Sequence, residues 1–74
     1  MLHQTEMVLQ HMMKYGPISG RIARDMYGIE RLGARIWDLK QAGFDIRDGW
    51  VHGKNRFGVE THWKEYWLRR ENNA

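Results

Sequence analysis

Between Thr5 and Tyr15 the apolar positions fall at Val8, Met12 and Tyr15, with Leu9 and Met13 widening the stripe, which is the spacing of one buried helical face. Thr5 suits an N-cap, and Gly16 followed by Pro17 is a stop, so a first helix is predicted over about residues 5–15. Pro17 and Ile18 read as a short extended link. Ser19 can then cap a second helix over 20–27, carrying Ile22, Ala23 and Met26 on one side and closed by Gly28 in a left-handed conformation. Ile29 is expected to point inward and pin the corner. A third helix over 31–42 follows at once, with Leu32, Ile36 and Leu39 on a shared face and Gly43 as its terminator.

Beyond Gly43 the period changes from that of a helix to that of a strand. Phe44, Ile46 and Asp48 alternate with Asp45 and Arg47, predicting a strand over about 44–51 with a break or bulge near Gly49. The polar, glycine-bounded segment 52–58 reads as a hairpin tip, and a second strand is expected over 59–68. In that strand His62, Lys64, Tyr66 and Leu68 share one face, and Trp63, Glu65 and Trp67 share the other. Residues 69–74 read as a solvated tail. The expected fold class is α+β, three helices followed by a two-stranded β-hairpin, in a single domain over 1–74.

Composition narrows this picture. A chain of 74 residues supports one core, and with no cysteine it has neither a disulfide framework nor a thiolate metal site. Four Trp, three Tyr and two Phe are therefore expected to supply much of the packing. The opening MLHQTEMVLQ lacks the basic and apolar regions of a signal peptide, and no stretch is long enough to span a bilayer, so a cytoplasmic protein without membrane association is expected. A net charge of +3 is compatible with a polyanionic partner and does not establish one.

Two helices joined by a short glycine-containing turn form a helix-turn-helix unit, whose second helix enters a DNA major groove; a hairpin directly after it makes the winged form. With Leu32, Ile36 and Leu39 inward, a rotation of about 100° per residue turns Glu30, Ala34, Trp37, Asp38 and Gln41 outward, with Arg31 and Arg35 flanking. Arg31 and Arg35 are candidates for guanine or phosphate contacts, and Gly33 and Ala34 leave room for close approach. The plainer account pairs these arginines with Glu30 and Asp38 on a solvated face. Lys54, Asn55 and Arg56 at the hairpin tip can touch phosphates or a minor groove. Ser19 and Arg21, at the start of the second helix, can anchor a phosphate, although a cap alone accounts for Ser19.

The run IERLGARIWDLKQAGFDI, followed by NRFG and EYWL, resembles the short helix-turn-helix proteins encoded by bacteriophages and prophages. The shared pattern falls on Ile29, Arg31, Leu32, Ala34, Arg35, Ile36, Leu39, Gly43 and Ile46, then on Asn55 to Gly58, then on Tyr66 and Leu68. Gly33 in the third helix and the added Trp63 and Trp67 depart from it. The resemblance implies a winged-helix fold and binding of double-stranded DNA by a regulatory or accessory protein in a bacterial host cell.

Enzymatic chemistry has little to stand on. His3, His11, His52 and His62 lie in different elements, with no nucleophile and base pair and no metal-ligand spacing, so neither a cofactor nor a metal is expected. His52 and His62 are expected to face each other across the hairpin. The rival function is protein binding: Trp37, Trp63 and Trp67 can present an aromatic surface to a second copy of the chain or to a host protein, including a component of a defence system. Trp50 is expected to cover the core instead.

Overall fold

The computed structural model describes residues 3–69, so of the tail expected over 69–74 only Arg69 is described and the rest lies outside the described residues. Helix α1 (Gln4–Lys14) begins one residue before the expected start. His3 is its N-cap, without a side-chain bond, and the Met7 N–H donates to the His3 carbonyl at 3.1 Å; Thr5, expected as the cap, lies inside the first turn. The buried face is Val8, His11 and Met12. Tyr15 leaves the stripe it was expected to complete, because the helix ends at Lys14 and its ring turns outward beside His11, with centroids 5.3 Å apart. Met13 is exposed as well, lying about 140° around the helix from Val8.

Ile18 and Ser19 form a short strand, β1, and not merely a link. It pairs antiparallel with Tyr66 and Glu65, so the sheet has three strands where the periodicity indicated two. Two residues carry no readable period. Helix α2 (Gly20–Tyr27) is capped by the Ser19 hydroxyl, which accepts the Ile22 N–H at 3.2 Å. It ends at Gly28, with φ +68°, where the Gly28 and Ile29 N–H groups donate to the carbonyls of Arg24 and Ala23. Ile29 is buried as expected. In the last turn Tyr27 faces α1 while Met26, expected inward, is exposed.

Helix α3 (Leu32–Gln41) is one residue shorter at each end than expected, and buries Leu32, Ile36 and Leu39. Strand β2 (Ile46–Lys54) starts later and runs further than its pattern suggested. It pairs one-to-one with β3 (Glu60–Leu68), from Ile46 opposite Leu68 to Lys54 opposite Glu60, with no break or bulge at Gly49. Gly49 and Gly53 instead make room for indoles: a Cβ on Gly49 would stand 3.2 Å from Trp67, and one on Gly53 would stand 3.1 Å from Trp63.

The sheet order is β1-β3-β2, with the helices on one face. The buried core is Val8, Met12, Ile18, Ala23, Ile29, Leu32, Ile36, Leu39 and Ile46, all aliphatic or Met. The aromatics therefore do not fill it, contrary to expectation; Tyr27 and Tyr66 pack at its margin. Trp50, expected as a core cover, is 61% exposed. It shares the core-side face with Ile46, but four residues further out, roughly 13 Å along the strand and past the helical layer.

Candidate nucleic-acid interface

The α2–α3 corner sets the candidate site. Gly28 turns the chain, Ile29 anchors it in the core, and Arg31 becomes the N-cap of α3 with dihedrals that are neither helical nor extended (φ −117°, ψ 66°) and no side-chain cap bond. Its guanidinium makes no ion pair or side-chain hydrogen bond with another described residue and is exposed. Arg21, exposed at the start of α2, lies 3.6 Å from Asp25 in a solvent-screened contact. Both arginines line a groove of about 480 Å³ between the two helix starts and β3, together with Arg24, Lys64 and Glu30. Arg24 and Lys64 were missed in the sequence. The readable signals are that Arg24 follows Arg21 by nearly one turn, and that Lys64 alternates with His62 and Tyr66 on the inner face of β3.

Other expected contacts divide. Ser19 is buried and its hydroxyl accepts the helix cap bond, so the exposed parts of this helix start are backbone and Arg21. Arg35 does not project beside Arg31: its Nε lies 3.0 Å from Asp38 and its terminal nitrogen donates to Gln4 Oε1 at 3.4 Å. Both Arg35 and Asp38 are half-buried against the start of α1, in a separate cleft. The plainer pairing thus holds for Arg35 with Asp38, while Glu30 takes no part in a side-chain ion pair with Arg31. Ala34 is half-buried, Gln41 is exposed, and Trp37 stands 61% exposed on the outer side of α3.

The hairpin tip is narrower than expected, spanning residues 55–59 between β2 and β3. Lys54 belongs to the strand end. Asn55 builds the turn: its side-chain oxygen accepts the N–H groups of Phe57 and Val59 at 2.9 and 3.1 Å, and its carbonyl accepts the Gly58 N–H at 3.0 Å. Gly58 has φ +76°, a conformation that suits glycine. With Asn55 and Gly58 committed to the turn, the residues presented are Arg56 and Phe57, the latter 87% exposed. Phe57 was also missed, since an apolar residue in a polar segment has no periodic signature.

Three helices with a glycine corner between the second and third, then a long hairpin closed on a short strand, match the model of the winged helix-turn-helix domain family over residues 3–71. The chain belongs to that family. In a winged helix-turn-helix domain α3 takes the place of the recognition helix and the β2–β3 hairpin that of the wing, an architecture used for DNA binding. No curated protein and no solved structure matches the chain. On the wing, His52 and His62 face each other as expected, ring centroids 5.9 Å apart, and Trp50 meets His62 edge-on at 5.2 Å. Lys64 lies over Trp50 and 3.9 Å from Asp48. Among the described residues no group of three or more His, Cys, Asp or Glu could hold a metal ion, and no helix is long and apolar enough to cross a membrane.

Proposed function

We propose that the chain binds double-stranded DNA as a regulatory or accessory protein of the kind that phages and prophages encode, acting by binding and not by catalysis. The observation that carries this reading is the groove where Arg21, Arg24, Arg31 and Lys64 gather around the starts of α2 and α3. Cations converging beside a helix that presents small residues such as Gly33 suit a phosphate backbone, with α3 in the major groove. Arg56 and Phe57 at the wing tip give a second contact of the type that enters a minor groove, a cation beside an apolar wedge.

The deciding measurement is the binding of a fluorescein-labelled duplex pool by anisotropy across a salt series. Five participating cations give a slope of log affinity against log salt of roughly −4 to −5. A flat response, or no binding at low salt, removes the reading. A second reading is favoured by Trp37, whose indole is 61% exposed beside acidic Asp38, a combination better suited to a protein surface than to DNA. Loss of the biological effect on replacing Trp37 alone, with DNA affinity unchanged, would select it.

A further inference from the structure

In the sheet order β1-β3-β2, strand β2 is an outer strand, and among the described residues no other strand pairs with its far edge. Two bonds at the ends of the hairpin fix which residues face that edge. The Asn55 N–H donates to the Val59 carbonyl at 3.0 Å, and the Arg69 N–H donates to the Asp45 carbonyl at 2.9 Å. Asn55 and Asp45 are odd-numbered, and the register between them is unbroken, so the odd residues of β2 direct their backbone groups to β3. Ile46, Asp48, Trp50, His52 and Lys54 therefore direct theirs outward. The Ile46 N–H is held by the Phe44 carbonyl at 3.1 Å, whereas the outward amides of Asp48, Trp50, His52 and Lys54 meet no other described residue.

Exposed edges are ordinarily blunted by proline, a bulge or a very short strand, and β2 has none of these. Its charges are arranged differently from a repelling edge. Trp50 is the central residue of Ile46–Lys54, with Asp48 two positions before it and His52 two positions after it. If a second β2 runs antiparallel with Trp50 opposite Trp50, Asp48, Trp50 and His52 all become hydrogen-bonded partners, and the Lys54 amide meets the carbonyl of the partner's Ile46. The same register sets Asp48 opposite the partner's His52 twice, and sets the bare Gly49 and Gly53 opposite Val51 and Arg47 on the outer face. It also gives a reason for the exposure of Trp50, which the core and the DNA reading leave without one.

We propose that two copies of the chain pair through β2 about a two-fold axis at Trp50, joining their three-stranded sheets into one of six strands. Residues in register share a sheet face, so both helical layers lie on the same side. This interface does not depend on the DNA reading, and its test uses no DNA.

The test is sedimentation equilibrium of the whole chain, with amide exchange followed by NMR. The mass should rise with concentration from 8.9 kDa to twice that value. Exchange should slow with concentration at Asp48, Trp50, His52 and Lys54, and not at the odd residues between them. Asp48→Arg should weaken association about tenfold through its two symmetric contacts, and adding His52→Asp should restore it. A monomer at millimolar concentration, a double variant as weak as Asp48→Arg alone, or protection confined to other segments would each overturn the proposal. The exchange pattern of the unmodified protein decides the matter if a variant does not fold.

Discussion

The indole of Trp63 lies across the bare Cα of Gly53, its ring carbons 3.1 and 3.2 Å from where a methyl group would stand, and Trp67 covers Gly49 in the same way. Each pair is diagonal across β2 and β3, on the face away from the helices. Gly53→Ala should therefore act with opposite signs in two backgrounds. With Trp63 present the methyl must push the ring aside, at a cost of about 1 kcal/mol. With Trp63→Ala the obstruction is gone, and alanine's lower backbone entropy cost should stabilise by about 0.5 kcal/mol. Urea denaturation of the four proteins in this cycle reads the inversion; equal effects in both backgrounds would mean that the ring does not rest on the glycine.

His11 is buried in α1, its Nδ1 2.6 Å from the Tyr27 hydroxyl and its Nε2 3.3 Å from the Pro17 carbonyl. Tyr27→Phe leaves a buried ring nitrogen without its partner and should cost about 1 to 3 kcal/mol. The double variant His11→Leu with Tyr27→Phe should cost less than the sum of the single changes, because neither end of the His11–Tyr27 bond is then stranded and only the Pro17 carbonyl loses its partner, as it does in His11→Leu alone. Thermal and chemical denaturation measure both.

This bond also marks where sequence reading stops. The ends of α2 and the face of α3 were legible because Ser19, Gly28 and the Leu32, Ile36, Leu39 spacing act locally, through capping and period, whereas Met26 was placed inward on α2 and is exposed. His11 was not, since a polar residue on a buried face is explained by its partners Pro17 and Tyr27, the latter sixteen positions away. The same holds for β1, whose two residues are a strand only because β3 lies beside them. At the site, Arg31 and Arg56 could be named from their positions. The withdrawal of Arg35 required Gln4, and the arrival of Lys64 required the hairpin register.

Asp45 and Arg47 form an exposed pair just before and within β2, with bonds of 2.8 and 3.3 Å. The Arg47 hydrogen bond, helped by the charges of Arg47 and Arg69, holds the Asp45 carboxyl below its ordinary 3.8. A carboxyl depressed in the folded state contributes stability above its unfolded value and loses it as pH falls through the folded value. The stability difference between the protein and Asp45→Asn should thus be constant through neutral pH and shrink only below about pH 4. Denaturation midpoints over a pH series test this; a difference that changes between pH 5 and 7 would point to another group.

The hairpin tip separates folding from binding. Asn55→Ala removes the acceptor for two backbone N–H groups, and Gly58→Ala forces a methyl into φ +76°, so each should destabilise by about 1 kcal/mol. Arg56→Ala and Phe57→Ala, at exposed positions, should leave stability unchanged and weaken duplex binding. Denaturation and anisotropy on the same four variants distinguish the turn builders from the contact residues.

Arg31 and Arg35 lie one turn apart on α3, yet they should behave differently toward DNA. Arg31 is exposed and uncommitted to other described side chains, so Arg31→Ala should weaken duplex binding by about 1 to 3 kcal/mol, lowering the salt slope by about 0.9 if its contact is a phosphate. Arg35 is held by Asp38 and Gln4, so Arg35→Ala should have a smaller effect on affinity. Asp38→Ala then gives the sharpest comparison: it removes a negative charge near the backbone and frees the Arg35 guanidinium, so affinity should rise. In an Arg35→Ala background the gain should shrink to the part due to the lost charge alone. Anisotropy titrations of the parent and the four variants measure these affinities, with a salt series for the parent and Arg31→Ala to read the slope. A fall in affinity on Asp38→Ala would show that the aspartate itself serves the contact, as a carboxylate accepting from cytosine does.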